Sequence, residues 1–389
     1  MRSTVRPERK HVEMNLIDRN ESIITGGANL EPLHVIPKVP VFFGCVDHPQ
    51  ADDLYVDMRW MICPDSGVIQ LDKLIPPEVL YQEQHMDGTG PTWAAYCDTF
   101  SDFLVNRIGT KVIEIGGGAG KLAEAVVAKR KDCRWTIVEA NPLHPGGNRI
   151  EVNKQYFDNR FTCLETPDTV VFSQVLEHAY DPGEFLKTIF RILPGGGKLC
   201  FGYPDLKHWL ERKFTNAINF EHSMLLTDYF VDYLLAREGF EIHEKTAYDN
   251  HHFFYSCVKA RVPAVLPRIV NHYDEYKRIY CDYRSYYESL VQDLNQRVKD
   301  FAGPVFVFGA HIFAQALFQF GLDEARVEGL LDNSRLKQGR RLYGSRLRVF
   351  SPETIRGLND VAVILKVGLH RDGILDQLKS INPNVVVFE

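Results

Sequence analysis

The chain has 389 residues, 45% hydrophobic and 25% charged, which is too long for one ordinary core and fits a globular protein of two or three domains. Its net charge of −6 gives no bulk attraction to nucleic acid or an anionic membrane, so neither is expected as a partner. Its eight cysteines form no Cys-x-x-Cys pair, which leaves the reduced thiols of a cytoplasmic protein as the expectation.

The opening stretch MRSTVRPERK has no apolar run, so no secretory signal is expected there. Residues 1–85 read as a small N-terminal domain. Short β-like runs (Val39–Phe43, Trp60–Cys63, Val68–Leu71) are separated by Pro and Gly, and such a segment has to pack on the rest of the chain.

Residues 86–259 carry the strongest signal. The run KVIEIGGGAGKLAEAV, Lys111–Val126, reads as a β-branched strand, a glycine turn and a helix. That arrangement brings backbone close to a ligand and aims free helix N–H groups at it. The dinucleotide fingerprint needs a glycine at 121, where Lys121 stands. What remains is E-x-G-x-G-x-G: Glu114, Gly116, Gly118, Gly120. A carboxylate at Glu114 suits a cationic amino-acid tail and repels a pyrophosphate. Glu139 ends the next apolar run, where it can accept from a ribose diol. The pattern predicts S-adenosylmethionine (SAM) as the cofactor, with Gln174 beside it. Downstream, the buried-strand run Thr169–Leu176 ends in Glu177-His178. A helix over 184–193, the turn Pro194–Gly197 and a strand over 198–203 come next. The last strands are Phe240–Lys245 and Phe253–Lys259.

Residues 260–301 read as a helical linker. Tyr273, Tyr276, Tyr280, Tyr283, Tyr287, Leu290, Leu294 and Val298 share one helix face. That face fits packing between domains better than an aromatic ligand box. Residues 302–389 start a second α/β unit with strands at 305–308, 327–331, 361–365 and 385–388. Its first turn has one glycine, so it needs no nucleotide cofactor of its own. The apolar stretch 305–322 is broken by Gly309, His311, Gln315 and Gln319, as in a strand and core helix and unlike a membrane span.

These motifs resemble the SAM-dependent sugar C-methyltransferases, which methylate nucleotide-linked 4-keto-6-deoxyhexoses. The likeness runs through Ile75–Tyr81, Pro91-Thr92-Trp93, Val175-Leu176-Glu177-His178, Asn219-Phe220-Glu221-His222, and Leu331–Ser334 with Lys337-Gln338-Gly339. It implies a class I methyltransferase Rossmann-like domain flanked by a small N-terminal domain and a second Rossmann-like C-terminal domain. Two departures stand out. The family's N-terminal zinc knuckle has two Cys-x-x-Cys pairs, whereas Ser22, Thr25, Cys63 and Ser66 stand here. Hydroxyls are poor zinc ligands, and Cys45 and His48 with Cys63 still lack a fourth ligand, so no zinc is expected. The family's His-Gly-Gly-Ser turn is replaced by Asp249–Phe254, bulkier and more polar. His251 and His252 read as pocket lining or surface.

Forming a C–C bond from SAM requires a base that removes a proton beside a ketone. The resemblance makes His222 the first candidate, with Glu221 to set its tautomer and Tyr81 as a hydrogen-bond donor. His178, at the carboxyl end of a strand, is the other candidate, as base or as polariser of the keto oxygen. Trp93 is expected to line the substrate pocket. The cation-rich stretch with Lys337, Arg340 and Arg341 is expected to hold the diphosphate of a nucleotide-linked sugar. Two other functions remain open: O- or N-methylation of a sugar or secondary metabolite, and a non-catalytic SAM-binding scaffold.

Overall fold

The computed structural model describes residues 14–81, 91–249, 252–261, 266–367 and 371–389. The stretch read above for a signal sequence lies outside them, as do Asn250 and His251.

The N-terminal part contains β1 (Ile17–Asp18), β2 (Glu31–Pro40), β3 (Cys45–Val46), β4 (Tyr55–Ile62), β5 (Ile69–Leu71), β6 (Lys73–Leu74) and the short α1 (Pro77–Leu80). The middle part runs α2 (Pro91–Val105), β7 (Lys111–Ile115), α3 (Lys121–Lys129), β8 (Arg134–Glu139), β9 (Ile150–Lys154), β10 (Thr169–Ser173), α4 (Pro182–Ile192), β11 (Lys198–Pro204), α5 (Leu206–Glu211), β12 (Met224–Leu225), α6 (Asp228–Arg237), β13 (Phe240–Tyr248) and β14 (His252–Lys259). Seven strands form one sheet in the order β13-β14-β11-β10-β7-β8-β9. The five from β7 to β11 are parallel, and β14 pairs antiparallel to β11. The order reverses between β7 and β10, so a crevice opens at their carboxyl ends, where such sheets take ligands.

The long helix α7 (Tyr273–Asp300) buries Tyr276, Tyr280, Tyr283 and Tyr287 along one stripe. Beyond it come β15 (Val305–Phe308), α8 (Ile312–Gln319), β16 (Gly329–Leu331), β17 (Arg341–Leu342), β18 (Val349–Phe350), β19 (Ala362–Leu365), α9 (Arg371–Ile381) and β20 (Val386–Phe388). Five of these strands form a parallel sheet ordered β18-β16-β15-β19-β20, whose order reverses between β15 and β19. The fold class is thus mixed α/β with two parallel-stranded sheets.

The three parts are stitched together by strands. The N-terminal sheet, β12-β5-β4-β2, takes β12 from the middle part, and β3 pairs with β17 from the C-terminal part. Around Cys63, Thr25 Oγ1 stands 3.8 Å from the sulfur, and the Ser22 and Ser66 hydroxyls accept from the backbone N–H groups of Thr25 and Val68 at 3.3 Å. Burial raises the Cys63 thiol, but hydrogen bonds from Ser22, Ser66, Thr25 and the Asp65 backbone bring it below its ordinary value. Among the described residues no three His, Cys, Asp or Glu side chains gather as a metal site. Nor is any helix among them long and apolar enough to cross a membrane.

Candidate active site

One cavity of about 1160 Å³ is lined by all three parts of the chain. Drug-sized ligands fill roughly 300–1,000 Å³, so this space admits more than one small molecule.

At one end stands the glycine turn after β7. Gly116, Gly118 and Gly120 have φ of +75°, +50° and +75°, a region that L side chains rarely adopt. A Cβ on Gly120 would lie 2.6 Å from the His144 ring, so the turn admits no side chain there. Glu114 lines the cavity, is 3% exposed, and accepts from Trp135 Nε1 at 2.7 Å through Oε2. Burial, with a further push from Glu139, raises its carboxyl to about 7 against the Trp135 bond. A cation bound beside it would recover that cost. Glu139 accepts from the N–H groups of Asn141 (3.0 Å) and Gly118 (3.3 Å), which ties the acid to the turn. Gln174, directly after β10, has φ of +56° and donates through Nε2 to Tyr96 Oη at 3.3 Å. These residues, with a glycine-lined backbone and a buried acid, fit an adenosyl cofactor with a cationic amino-acid tail.

Further into the cavity lie the two histidines. Their rings are nearly parallel (24°) with centroids 5.3 Å apart. His178 Nδ1 donates to the Glu221 carbonyl, and His222 Nδ1 donates to the Ala217 carbonyl, both at 3.1 Å. With Nδ1 as the donor to these carbonyls the basic nitrogen on each ring is Nε2; at His222 the Asn219 amide, its Nδ2 3.2 Å from the same Nδ1, competes with that tautomer. The tautomer of His222 is therefore set by the Ala217 carbonyl and not, as expected, by the Glu221 carboxylate; adjacent side chains on a chain point apart. His222 is 6% exposed. Burial, reinforced by His178, lowers it to about 3, so it is neutral.

Three buried polar atoms on cavity-lining residues have no hydrogen-bond partner among the described residues: Tyr81 Oη, Glu177 Oε2 and Thr215 Oγ1. Burial, with Glu221, Tyr180 and Glu177 adding to it, holds the Tyr81 phenol well above its ordinary value, so it is a donor. The aromatic wall is continuous. Trp93 stacks on Tyr96 at 4.9 Å, Tyr96 meets His252 at 5.3 Å, His252 meets Trp209 at 5.8 Å, and Trp209 meets His222 at 5.9 Å.

Lys337, Arg340 and Arg341, expected to hold a diphosphate, are not among the residues that line the cavity. Lys337 pairs with Asp332 at 2.9 Å, and Arg340 faces Asp47 at 3.6 Å. Arg341 forms a two-pronged pair with the buried Asp53 at 2.7 Å on each prong. The lysines and arginines that do line the cavity are Lys121, beside the glycine turn, and Arg212, Lys213 and Lys366. The hydroxyls of neighbouring Tyr286 and Tyr287 on α7 bind the Lys366 ammonium and the Lys213 carbonyl, so these lysines lie at one end. Lys366 comes directly after β19, and His311 sits just beyond β15. The reversal point of the second sheet thus opens on the same cavity as that of the first. Sequence reading missed Thr215, Tyr96 and these cations, which carry no local motif. Glu177 stood inside the Val-Leu-Glu-His motif but was given no role.

Comparison with known proteins agrees with the first of these sheets. Residues 86–245 match the family model described as "Methyltransferase domain". This segment is a methyltransferase domain. The chain is similar to the ubiquinone biosynthesis O-methyltransferase of Idiomarina loihiensis, 25% identical over 162 residues that cover 39% of this chain and 59% of the relative. It is also similar to the enzyme of that name from Pseudomonas fluorescens, 28% identical over 108 residues, covering 26% and 47%. The chain spans about half the length of the curated relatives it matches. Among solved structures it resembles an O-methyltransferase family protein from Burkholderia thailandensis (16% identity, TM-score 0.36, covering 43% of this chain and 56% of that one). It also resembles human N-acetylserotonin methyltransferase (18% identity, TM-score 0.36, covering 43% and 51%).

Proposed function

We propose that this chain is a SAM-dependent methyltransferase that methylates the carbon next to the ketone of a nucleotide-linked 4-keto-deoxysugar. One observation carries the reading. Two imidazoles with Nε2 available, and three oxygens that lack partners among the described residues, line the same cavity as the glycine turn and Glu114.

When bound, SAM supplies an electrophilic methyl group on a sulfonium. Glu114 and the glycine turn would hold its amino-acid tail, and Glu139 would hold its ribose. The chain must then remove a proton from the acceptor. His222, neutral and with Nε2 basic, takes it. Tyr81 Oη donates to the acceptor oxygen as negative charge develops there, a contact that strengthens in a dry site. His178 stands beside the same oxygen or acts as the second base. Arg212, Lys213 and Lys366 supply positive charge for a phosphorylated tail, in place of the arginine cluster expected from sequence. The aromatic wall of Trp93, Tyr96, His252 and Trp209 excludes water from the reacting carbon.

The names of the similar proteins favour a second reading, O-methylation, in which His222 deprotonates a hydroxyl. Solvent exchange separates the two. In heavy water, a nucleotide-linked 4-keto-6-deoxyhexose should lose its α-hydrogen in the presence of the protein, read by mass spectrometry. His222→Asn should slow that exchange about 100-fold or more while SAM binding is retained. Methyl transfer to an oxygen with no α-exchange would overturn C-methylation.

A further inference from the structure

The proposed chemistry leaves one buried acid unused. Glu177 is 1% exposed, and its Oε2 has no hydrogen-bond partner among the described residues. A structural buried carboxyl is normally satisfied on both oxygens, and an acid left unsatisfied in a cleft is a candidate for function. Its Oε1 stands 3.9 Å from Nε2 of His178, and the His178 ring lies nearly flat against that of His222 at 5.3 Å. His178 in turn reaches solvent, with its side chain 25% exposed. Glu177, His178 and His222 therefore form a row running from a buried acid, past a ring with an exit to water, to the base.

The row answers a difficulty in the chemistry. His222 sits where a positive charge is poorly tolerated, because burial and His178 both oppose its protonation. To take a proton from carbon it needs a counter-charge nearby. Ala217 and Asn216 contribute only carbonyl dipoles and Asn219 a neutral amide, and Glu221 meets His178 through its backbone.

We propose that Glu177 is a positioning residue for the base. With His178 it holds one exchangeable proton, and the carboxylate left when that proton departs is the counter-charge that lets His222 become an imidazolium. The proposal rests on the reading of His222 as the base. The proton balance closes. The pair first releases its proton to solvent through His178 and carries −1. His222 then takes the acceptor's proton and carries +1. The C–H electron pair stays with the acceptor carbon and forms the new bond to methyl, while the methyl–sulfur bond breaks and its pair leaves on the thioether; the proton on His222 then returns to the pair.

The electrostatics of Glu177 agree with this arrangement. Burial, with a smaller push from Glu221, raises its carboxyl from an ordinary 4.5 to about 7, while His178 and the residue's own backbone N–H pull it down. The other titratable groups facing it are Tyr81 at the end of α1, Tyr96 on α2 and Tyr203 on β11. All three phenols are held above their ordinary value, so they are neutral and leave Glu177 as the group here that exchanges a proton near neutrality.

The test is the pH profile of methyl transfer from SAM to a nucleotide-linked 4-keto-6-deoxyhexose, for the whole chain and for Glu177→Gln. In the native protein the rate should rise with pH through about 7, as the pair loses its shared proton. The glutamine variant, which cannot carry the charge, should have a plateau about 10–100-fold lower. Its rising limb should move by about one pH unit or more. A plateau within about threefold and an unmoved limb would overturn the proposal. A second measurement needs no acceptor. Among the infrared bands of protonated, buried carboxyls, one that is absent from Glu177→Gln, and so is not that of Glu114, should be present at about pH 6 and lost by about pH 8, and His178→Asn should shift that loss. If no such band titrates there, the proposal fails even where transfer is seen. If the band titrates but no acceptor exchanges its α-hydrogen, it is the assigned reaction that fails.

Discussion

Glu114→Gln should make the empty protein more stable and its cofactor binding worse. Glu114 has a folded value of about 7 against an ordinary 4.5. The folded chain therefore holds a proton that the unfolded chain has lost between those values. Stability falls as pH rises through that window and the full cost stands above it. At 1.36 kcal/mol per pH unit the cost is about 3 kcal/mol. Glutamine removes the charge and still accepts from Trp135 Nε1, but it buries an NH2 without an acceptor, which costs about 1–2 kcal/mol. The net gain is about 1–2 kcal/mol, or roughly 2–8 °C in melting temperature for a domain of this size at about pH 8. No gain is expected near pH 4.5, where the native acid is protonated. Cofactor binding should move the other way. Losing a charge-assisted hydrogen bond to a cationic amino group weakens binding about 10–100-fold. With SAM at about 100 times the native Kd, ligand-induced stabilisation drops from about 2.7 kcal/mol to about 0.4–1.4 kcal/mol. Scanning calorimetry of both proteins, with and without SAM, at several pH values reads all of this. A variant that melts lower at about pH 8, with an undiminished shift on adding SAM, would refute the placement of Glu114 as the buried partner of a cation.

The cations give two further expected outcomes. Asp53→Asn should leave Arg341 buried beside a neutral partner and destabilise the chain by about 3–5 kcal/mol, read by urea unfolding, while the KM of the folded variant for its acceptor stays unchanged. A raised KM would return Arg341 to the substrate site. Arg212→Met combined with Lys366→Met should raise the KM for a phosphorylated acceptor about tenfold or more, with little change in its melting temperature and none in SAM affinity; an unchanged KM would remove these cations from the acceptor site.

The parts of the fold that were legible from sequence are those specified locally. The strand, glycine turn and helix at 111–129 are written in neighbouring residues, and the tyrosine stripe of α7 repeats every three or four positions. The strand β2 was less legible. Pro32, Pro37 and Pro40 argue against a strand, yet β2 lies at the edge of its sheet, where missing donors do no harm, and its register shifts beside these prolines. The cation-rich segment misled for a different reason. Local crowding of arginines says nothing of partners 288 residues away, and Asp53 is the partner that Arg341 found. Lys366, by contrast, is a single lysine after an ordinary buried strand, and only the approach of two sheets gives it a place at the cavity.

The shared strands have a consequence for any attempt to divide this protein. Excising the methyltransferase segment would tear β12 from β5 and strip the cover from a sheet edge, which is a template for aggregation. During synthesis, β5 can pair with β4 at once, but its other edge stays open until residue 225 has been made, and β3 waits for its partner until residue 342. Both seams thus close long after the first segment is made and lock it to the rest, and chimeras that exchange its parts between homologues need to carry both seams with them.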